Sequence, residues 1–487
     1  MSPSCFTDLA QQYIDGEWRP GTGSWDIIDV NPYDGEKLAS VPIATADEVD
    51  LAYRAAARAQ RAWAEANPYT QRDVFERVLR LVEEREAEIA DLLTAELGGT
   101  RTRAALEIGL AKEFLREAAQ LTLRADGRIL PSPVEGRENR LYRLPVGVVG
   151  VISPATFPFL LTVKPVAAAL ALGNGVVLKP HQDTPVTGGT LIAKLFEDAG
   201  LPPGTLNVVL TDIAEIGDAF LEHPVPRVIS FAGSDKVGRH IATVCGGQLK
   251  RTVLELGGDS ALVVLDDADI DYAVDAAVFS RYADRGQVCM AANRVLVDRS
   301  VADEFTEKFV AKVGALQAGD PRDPQTAIGP VTSSLQAASI SAIVEQAAAE
   351  GAAVLVRGET TDNLVGPSVL GDVAADSPLL RREVFGPVAL LVRFDGEEEA
   401  LRIVNGIPYG LSGAVHTADV ERGVAFAKRI DTGLFHVNDG TLHDEPLFPF
   451  GGEKYSGIGR LGGESTLDAF STLKWISVQH GRSAAPR

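Results

Sequence analysis

Cys289 stands in Arg285-Gly-Gln-Val-Cys-Met-Ala291, after a helix-like stretch and a glycine turn. A thiolate is a strong nucleophile and an effective acyl carrier. A turn at this point lets backbone N–H groups face a reacting atom, and the small residues Gly286, Ala291 and Ala292 leave room for a substrate. A single cysteine is also a common small core residue. The other two, Cys5 in an expected mobile terminus and Cys245 at an expected helix end, lack such surroundings. Glu255, in Thr252-Val-Leu-Glu-Leu-Gly-Gly258, lies 34 residues before Cys289. A carboxylate among apolar strand residues is costly to bury ionised, so its pKa should rise, which suits a general base. At a solvated strand end it would be an ordinary surface acid, and the spacing alone does not bring it to Cys289. Third, Phe231-Ala-Gly-Ser-Asp-Lys-Val-Gly238 runs from a strand into a helix. There Gly233, Ser234 and Gly238 could present backbone donors and a helix N-terminus to a pyrophosphate. The segment is not G-x-G-x-x-G, and strand–glycine–helix turns are also common connectors.

The elements that must hold these residues are legible as pattern. Val146–Ile152, Val176–Leu178, Leu206–Leu210, Arg227–Phe231 and Val253–Leu256 are short apolar runs, separated by helix-like segments. That alternation indicates βαβ units and a parallel, doubly wound sheet, which takes ligands beyond the carboxyl ends of its strands. The alternation restarts at Leu262–Leu265 and continues through Arg294–Val297, a long helix from Val301, and Pro387–Val392. Near the N-terminus Thr45-Ala-Asp-Glu48 is a capping box opening a helix. A second long helix is predicted from about Thr70 to Gly98-Gly99, with Val74, Val78, Val82, Ile89 and Leu93 on one face. Arg124–Leu144 is a polar insert, and the tail Leu473–Val478 is β-prone. A protruding hairpin and a stray strand of this kind can extend another subunit's sheet.

The fold class expected is therefore α/β: two doubly wound parallel-sheet domains, for cofactor and catalysis, plus a small β oligomerisation element. The boundaries are 1–123 and 146–254 for the cofactor domain, 255–455 for the catalytic domain, and 124–145 with 456–487 for the hairpin and tail. The chain's 487 residues exceed what one core holds, roughly 250–300. Forty-six Lys and Arg against 67 Asp and Glu give a formal net charge of −21, which disfavours nucleic acid and anionic lipid as partners. The apolar stretch Val146–Leu178 is broken by Pro154, Pro158, Pro165 and Gly173 and carries Lys164, so it reads as core and not as a membrane span. Three cysteines form no disulfide framework, and no metal-ligand spacing is present. With no targeting segment evident, a cytoplasmic location is expected.

Taken together, seven segments resemble the aldehyde dehydrogenase superfamily over nearly the whole chain: Ile152-Ser-Pro-Ala-Thr-Phe-Pro158, Gly173–Pro180, Phe231–Gly238, Glu255-Leu-Gly-Gly258, Gly286-Gln-Val-Cys289, Glu383-Val-Phe-Gly-Pro387 and Pro449-Phe-Gly-Gly452. Asn438-Asp439, Asp444-Glu-Pro446 and Val-Cys-Met-Ala-Ala resemble its benzaldehyde/vanillin branch. The resemblance implies that Cys289 attacks an aldehyde to form a thiohemiacetal, that hydride then leaves for a nicotinamide, and that Glu255 activates the water that hydrolyses the thioester. It implies a cofactor site of Ile152, Ser153, Lys179, Gln182, Gly233, Ser234, Gly238, Glu383 and Phe385, and partners limited to a small-molecule aldehyde and further copies of the chain, as a homodimer or homotetramer. Glu464 falls where many members carry a second acid linked to proton release; an exposed C-terminal Glu is the other reading.

Three departures from the family pattern carry consequences. Thr156 stands where an Asn usually donates to the oxyanion, and loss of such a donor typically costs about 10²–10³ in rate. Either Thr156 substitutes, or the Cys289 N–H suffices for an activated aldehyde, or the enzyme is slow or only binds. Ala155 replaces a bulky aromatic and widens the tunnel, which favours aromatic or bulky aldehydes; Phe157, Phe159, Leu160 and Tyr282 are candidate lining. A charged semialdehyde would instead need Arg281 or Arg285 aimed inward. Gln182 replaces a frequent Glu, so NAD is expected with measurable NADP use. The family's lysine appears one position early, as Lys164, and receives no role.

Overall fold

The computed structural model describes residues 4–481. Two mixed sheets carry the architecture. The first orders five parallel strands as Leu206–Val208, Gly175–Lys179, Val148–Ile152, Pro226–Gly233 and Arg251–Leu256. Relative to chain order this is 3-2-1-4-5, so the direction of winding reverses between Val148–Ile152 and Pro226–Gly233. Such a switch point opens a crevice at the strands' carboxyl ends. Antiparallel additions close the edges: Gln12–Ile14 and Glu17–Arg19 on one side, Gly457–Ile458 on the other. The second sheet has Ala292–Asp298 at its centre, flanked by Ser260–Val264 and Val388–Phe394, and extends through Gly413–His416 on one side and Ser368–Gly371 on the other. Its central strands are almost wholly buried, as strands covered on both faces must be, and mostly apolar, although Ala292–Asp298 carries the buried Asn293 and Arg294. The α/β class with two doubly wound sheets expected from the alternation is what the chain adopts.

Local signals acted as read at several points. Thr45 and Glu48 form the capping box that starts helix Ala46–Glu65. The five apolar residues from Val74 to Leu93 are all buried. They belong, however, to two helices and not to one: Pro68–Glu84 ends at Arg85, whose φ of −104° and ψ of 15° leave the helical region, and Glu86–Leu97 begins there. No glycine or proline marks this break. Cys5 lies in the short helix Ser4–Leu9, and its side chain is outside the described residues. Cys245 sits near the end of helix Asp235–Gly247, buried.

The insert and the tail meet within one chain. Ser471–Gln479 pairs antiparallel with Arg137–Pro145 over nine residues, and Arg128–Leu130 adds a third strand. The tail is therefore not unpaired, as its sequence reads. Its earlier part returns to the first sheet through Gly457–Ile458, and helix Gly463–Phe470 packs against helix Pro158–Ala171. Among the described residues no helix is long and apolar enough to cross a membrane.

Candidate active site

Strand Arg251–Leu256 delivers Glu255 to the crevice, and the chain then passes through Gly257-Gly258 into the second sheet. The double glycine answers to close approach. A Cβ on Gly257 would meet the Glu383 carboxylate at 2.5 Å, and one on Gly258 would meet the Cys289 carbonyl oxygen at 2.4 Å. The nucleophile loop and Glu383 are thus pressed against this segment, and the Gly258 amide donates to Glu383 Oε1 at 3.3 Å. Cys289, Glu255, Thr156 and Glu383 all line one cavity of about 600 Å³ at the switch point, between the two sheets. Folding supplies the proximity of Glu255 and Cys289 that their spacing left open.

The loop ahead of Cys289 is held in an uncommon conformation. After helix Ile270–Tyr282, Asp284 and Arg285 both have positive φ (45° and 52°), followed by Gly286 at 71°. Left-handed backbone costs a non-glycine residue about 1–2 kcal/mol, so the surroundings must enforce it. Arg281, buried, donates to the carbonyls of Gly286 and Val384, and Arg285 donates to the Gln287 side chain at 2.7 Å. Neither guanidinium lines the cavity, so the cationic end that a carboxylated semialdehyde would need does not come from them.

Buried charge surrounds the reacting groups. Burial, reinforced by the Glu383 and Glu255 carboxylates, pushes the Cys289 thiol up to about 12, which favours the neutral thiol at rest. Burial also raises Glu255, against the opposing pull of Lys164. Lys164 is the cation that sequence reasoning passed over. Its ammonium lies 3.3 Å from Glu255 and 2.9 Å from Asp444, over the Phe450 ring at 3.8 Å from its centre. Burial pulls Lys164 down, but the two carboxylates outweigh it and its pKa rises. The second acid near the site is thus Asp444. Glu464 is exposed in the first turn of helix Gly463–Phe470 and does not line the cavity.

The other end of the cavity suits a dinucleotide. Ile152, Ser153 and Lys179 come from adjacent strand ends, and Gly233 and Ser234 lead into helix Asp235–Gly247, whose first turn borders the cavity through Val237. Ser234 caps that helix, accepting from the Val237 amide at 3.4 Å. A Cβ on Gly238 would meet the Leu256 side chain at 2.4 Å, so glycine lets the helix sit close to the sheet. A helix N-terminus free of side-chain bulk is a ready anion site. Burial lowers Lys179 while Asp212 opposes it, and burial raises Glu383 to about 8. Phe385 lines the same wall. The residues present fit a dinucleotide with its pyrophosphate on the helix. Gln182 is exposed and outside the cavity lining; His181 lines it instead. Thr332 and Gln336 also reach the cavity, linked by a 2.8 Å hydrogen bond, and no sequence motif pointed to them. Among the described residues no group of three or more His, Cys, Asp or Glu could hold a metal.

A model of the aldehyde dehydrogenase family matches residues 18–476. A benzaldehyde dehydrogenase of Bacillus subtilis is 54% identical over 481 residues, 99% of each chain. A vanillin dehydrogenase of Corynebacterium glutamicum is 44% identical, over 97% of this chain and 98% of the other. Among solved structures, a NAD-dependent benzaldehyde dehydrogenase from Corynebacterium glutamicum superposes with a TM-score of 0.90 at 41% identity, over 97% of each chain.

Proposed function

The chain belongs to the aldehyde dehydrogenase family, and on that premise we propose that it oxidises aromatic and other bulky aldehydes to carboxylic acids, with NAD as the dinucleotide and NADP as a weaker substitute. The observation that carries this reading is the single cavity shared by Cys289, Glu255, Glu383 and the Ser234 helix end. Its aldehyde end is walled by Pro154, Ala155, Leu161 and Phe450, apolar and roomy at Ala155, which favours an aromatic ring.

In the reaction, the Cys289 sulfur bonds to the aldehyde carbon and its proton passes to Glu255, because the thiol is neutral at rest. Thr156 and the Cys289 amide stabilise the resulting oxyanion. When bound in the crevice, NAD supplies the acceptor for the aldehyde hydrogen as hydride. Glu255 gives the thiol's proton up to solvent before hydrolysis; the thioester left on Cys289 is then cleaved by water, whose proton Glu255 takes and passes to the departing sulfur as the C–S bond breaks, restoring the thiol. Lys164, held by Asp444, keeps the Glu255 carboxylate ionisable in a dry site. Ser153, Lys179 and the amides after Gly233 hold the adenosine and pyrophosphate, and Glu383 with Phe385 holds the nicotinamide ribose. The reduced thiol this chemistry needs favours the cytoplasm. The three-stranded sheet, with Ile129 and Trp475 exposed on it, favours a homo-oligomer.

The test is reduced-cofactor formation across aromatic, aliphatic and carboxylated aldehydes, with NAD and with NADP. Benzaldehyde is expected to exceed acetaldehyde in kcat/KM, and the reverse order overturns the substrate assignment.

A further inference from the structure

Thr156 and Cys289 sit on different loops from different sheets, and one buried guanidinium touches both loops. Arg103, in helix Arg101–Leu121, has a side chain only 4% exposed. Its face lies over the ring of Phe157, 4.2 Å from the centre, and Phe157 immediately follows Thr156. Its edge lies 3.3 Å from Asp284 Oδ1, at the start of the turn that leads to Cys289. A third contact, an ion pair with buried Glu107, fixes the guanidinium from its own helix. Glu107 in turn accepts the Leu160 amide at 3.0 Å, in the first turn of the helix that follows Thr156.

The two gripped residues share a conformation. Phe157 has φ 44° and Asp284 has φ 45°, so each loop turns through left-handed backbone at the residue that Arg103 touches. Such positions persist only where the surroundings over-determine them. A planar guanidinium can stack on a ring while its edge hydrogen-bonds one carboxylate and ion-pairs with a second, as Arg103 does with Glu107 and Asp284; an ammonium cannot meet all three at once. Arg103 and Arg285 balance Glu107 and Asp284, so the cluster is neutral and its removal by parts leaves an uncompensated charge.

We propose that Arg103, anchored by Glu107, is the positioning residue that sets the Thr156 loop against the Cys289 loop, for the covalent chemistry proposed above. It touches neither aldehyde nor dinucleotide. Its effect is on the geometry between oxyanion donor and sulfur, where a displacement of about 1 Å can cost roughly 10²-fold.

The experiment measures kcat and KM for benzaldehyde and NAD, the melting temperature, and the rate of Cys289 alkylation by iodoacetamide without aldehyde, in Arg103→Gln, Arg103→Lys and Phe157→Leu. Arg103→Gln is expected to lower kcat at least about tenfold per reactive thiol, with the KM for NAD within about twofold. Arg103→Lys is not expected to restore it. Thr156→Val, costly in the parent, should add little in the Arg103→Gln background, because the hydroxyl is already misplaced. A variant that melts earlier yet keeps the parent's kcat per reactive thiol, or an undiminished Thr156→Val cost, overturns the proposal. If Arg103→Gln does not fold, Phe157→Leu decides, since it keeps every charge: unchanged kcat and unchanged Thr156→Val cost overturn the idea, and a several-fold loss of both supports it. Activity retained in Cys289→Ser would sink the covalent reading instead. The alkylation rate, which needs no turnover, then still reports on the loop: a several-fold change in Arg103→Gln supports the positioning role, and an unchanged rate overturns it.

Discussion

The two ends of the crevice are built from different materials. The dinucleotide end is made largely of backbone, with the Lys179, Glu383 and Phe385 side chains beside it: strand termini, a helix N-terminus, and glycines that let them approach. The reacting end is made of buried charge gathered from distant segments, with Lys164, Glu255 and Asp444 on one side of Cys289, and Arg103, Glu107 and Asp284 behind its loop. Backbone donors are fixed by the fold and survive loss of a side chain. Buried ions depend on one another, since removing one partner leaves the other desolvated and unpaired. Side-chain deletions should therefore cost much more at the reacting end.

The largest effect tests that end directly. Cys289→Ser is expected to lower kcat by about 10⁴-fold or more, with dinucleotide binding retained, because a hydroxyl there has no base strong enough to make it an equivalent nucleophile. Fluorescence quenching on NAD titration checks the second half; loss of NAD affinity along with turnover would mean that the two ends are not separable.

Next comes the charge itself. Lys164→Met leaves Glu255 and Asp444 facing each other without a cation, at a site where all three side chains are nearly inaccessible. Breaking a buried pair in this way typically costs about 3–5 kcal/mol, to be read from denaturant midpoints. The pH profile should move as well. Lys164 lowers both Glu255 and Cys289. Its removal raises both, and since the base works ionised, the rising limb of kcat against pH shifts to higher pH. A limb that stays put would show that Lys164 is only a packing element.

What was legible in the sequence follows the same division. The strand alternation, the Thr45 capping box and the Ser234 turn are local patterns, and each led to its element. Glu255 could be read as a buried carboxyl from its apolar neighbours, and burial does raise its pKa. Lys164 could not be assigned, because its partner Asp444 is 280 positions away and only the folded sheets bring them together. The same holds for Arg103 with Asp284, and for the tail strand pairing with Arg137–Pro145. Glu464 and Gln182 were located by likeness of position alone, and both are exposed. The helix break at Arg85 carries no glycine or proline, so nothing in the local composition announces it.

Thr156 lies at the junction of the two ends, on the strand-to-helix turn, and lines the cavity. Thr156→Asn is expected to retain or raise kcat on benzaldehyde, by up to about 10²-fold if the present hydroxyl is a poor donor. A tenfold fall would show that the hydroxyl is itself required and that the loop is set for its shorter reach.

The smallest effect belongs to the dinucleotide end. Ser234→Ala removes a helix cap whose hydrogen bond is already long, 3.4 Å. Loss of a serine cap costs about 0.5–2 kcal/mol, and this one belongs near the lower bound. The amides that face the anion stay where the strand and the Gly238 contact hold them, so the KM for NAD should rise only about two- to threefold and kcat should hardly change. The hydroxyl's contribution is confined to one donor among several, whereas Lys164 is the cation that both neighbouring carboxylates share. A rise in KM beyond tenfold would mean that the serine side chain, and not the backbone, carries the pyrophosphate, and the contrast between the two ends would fail at its simpler end.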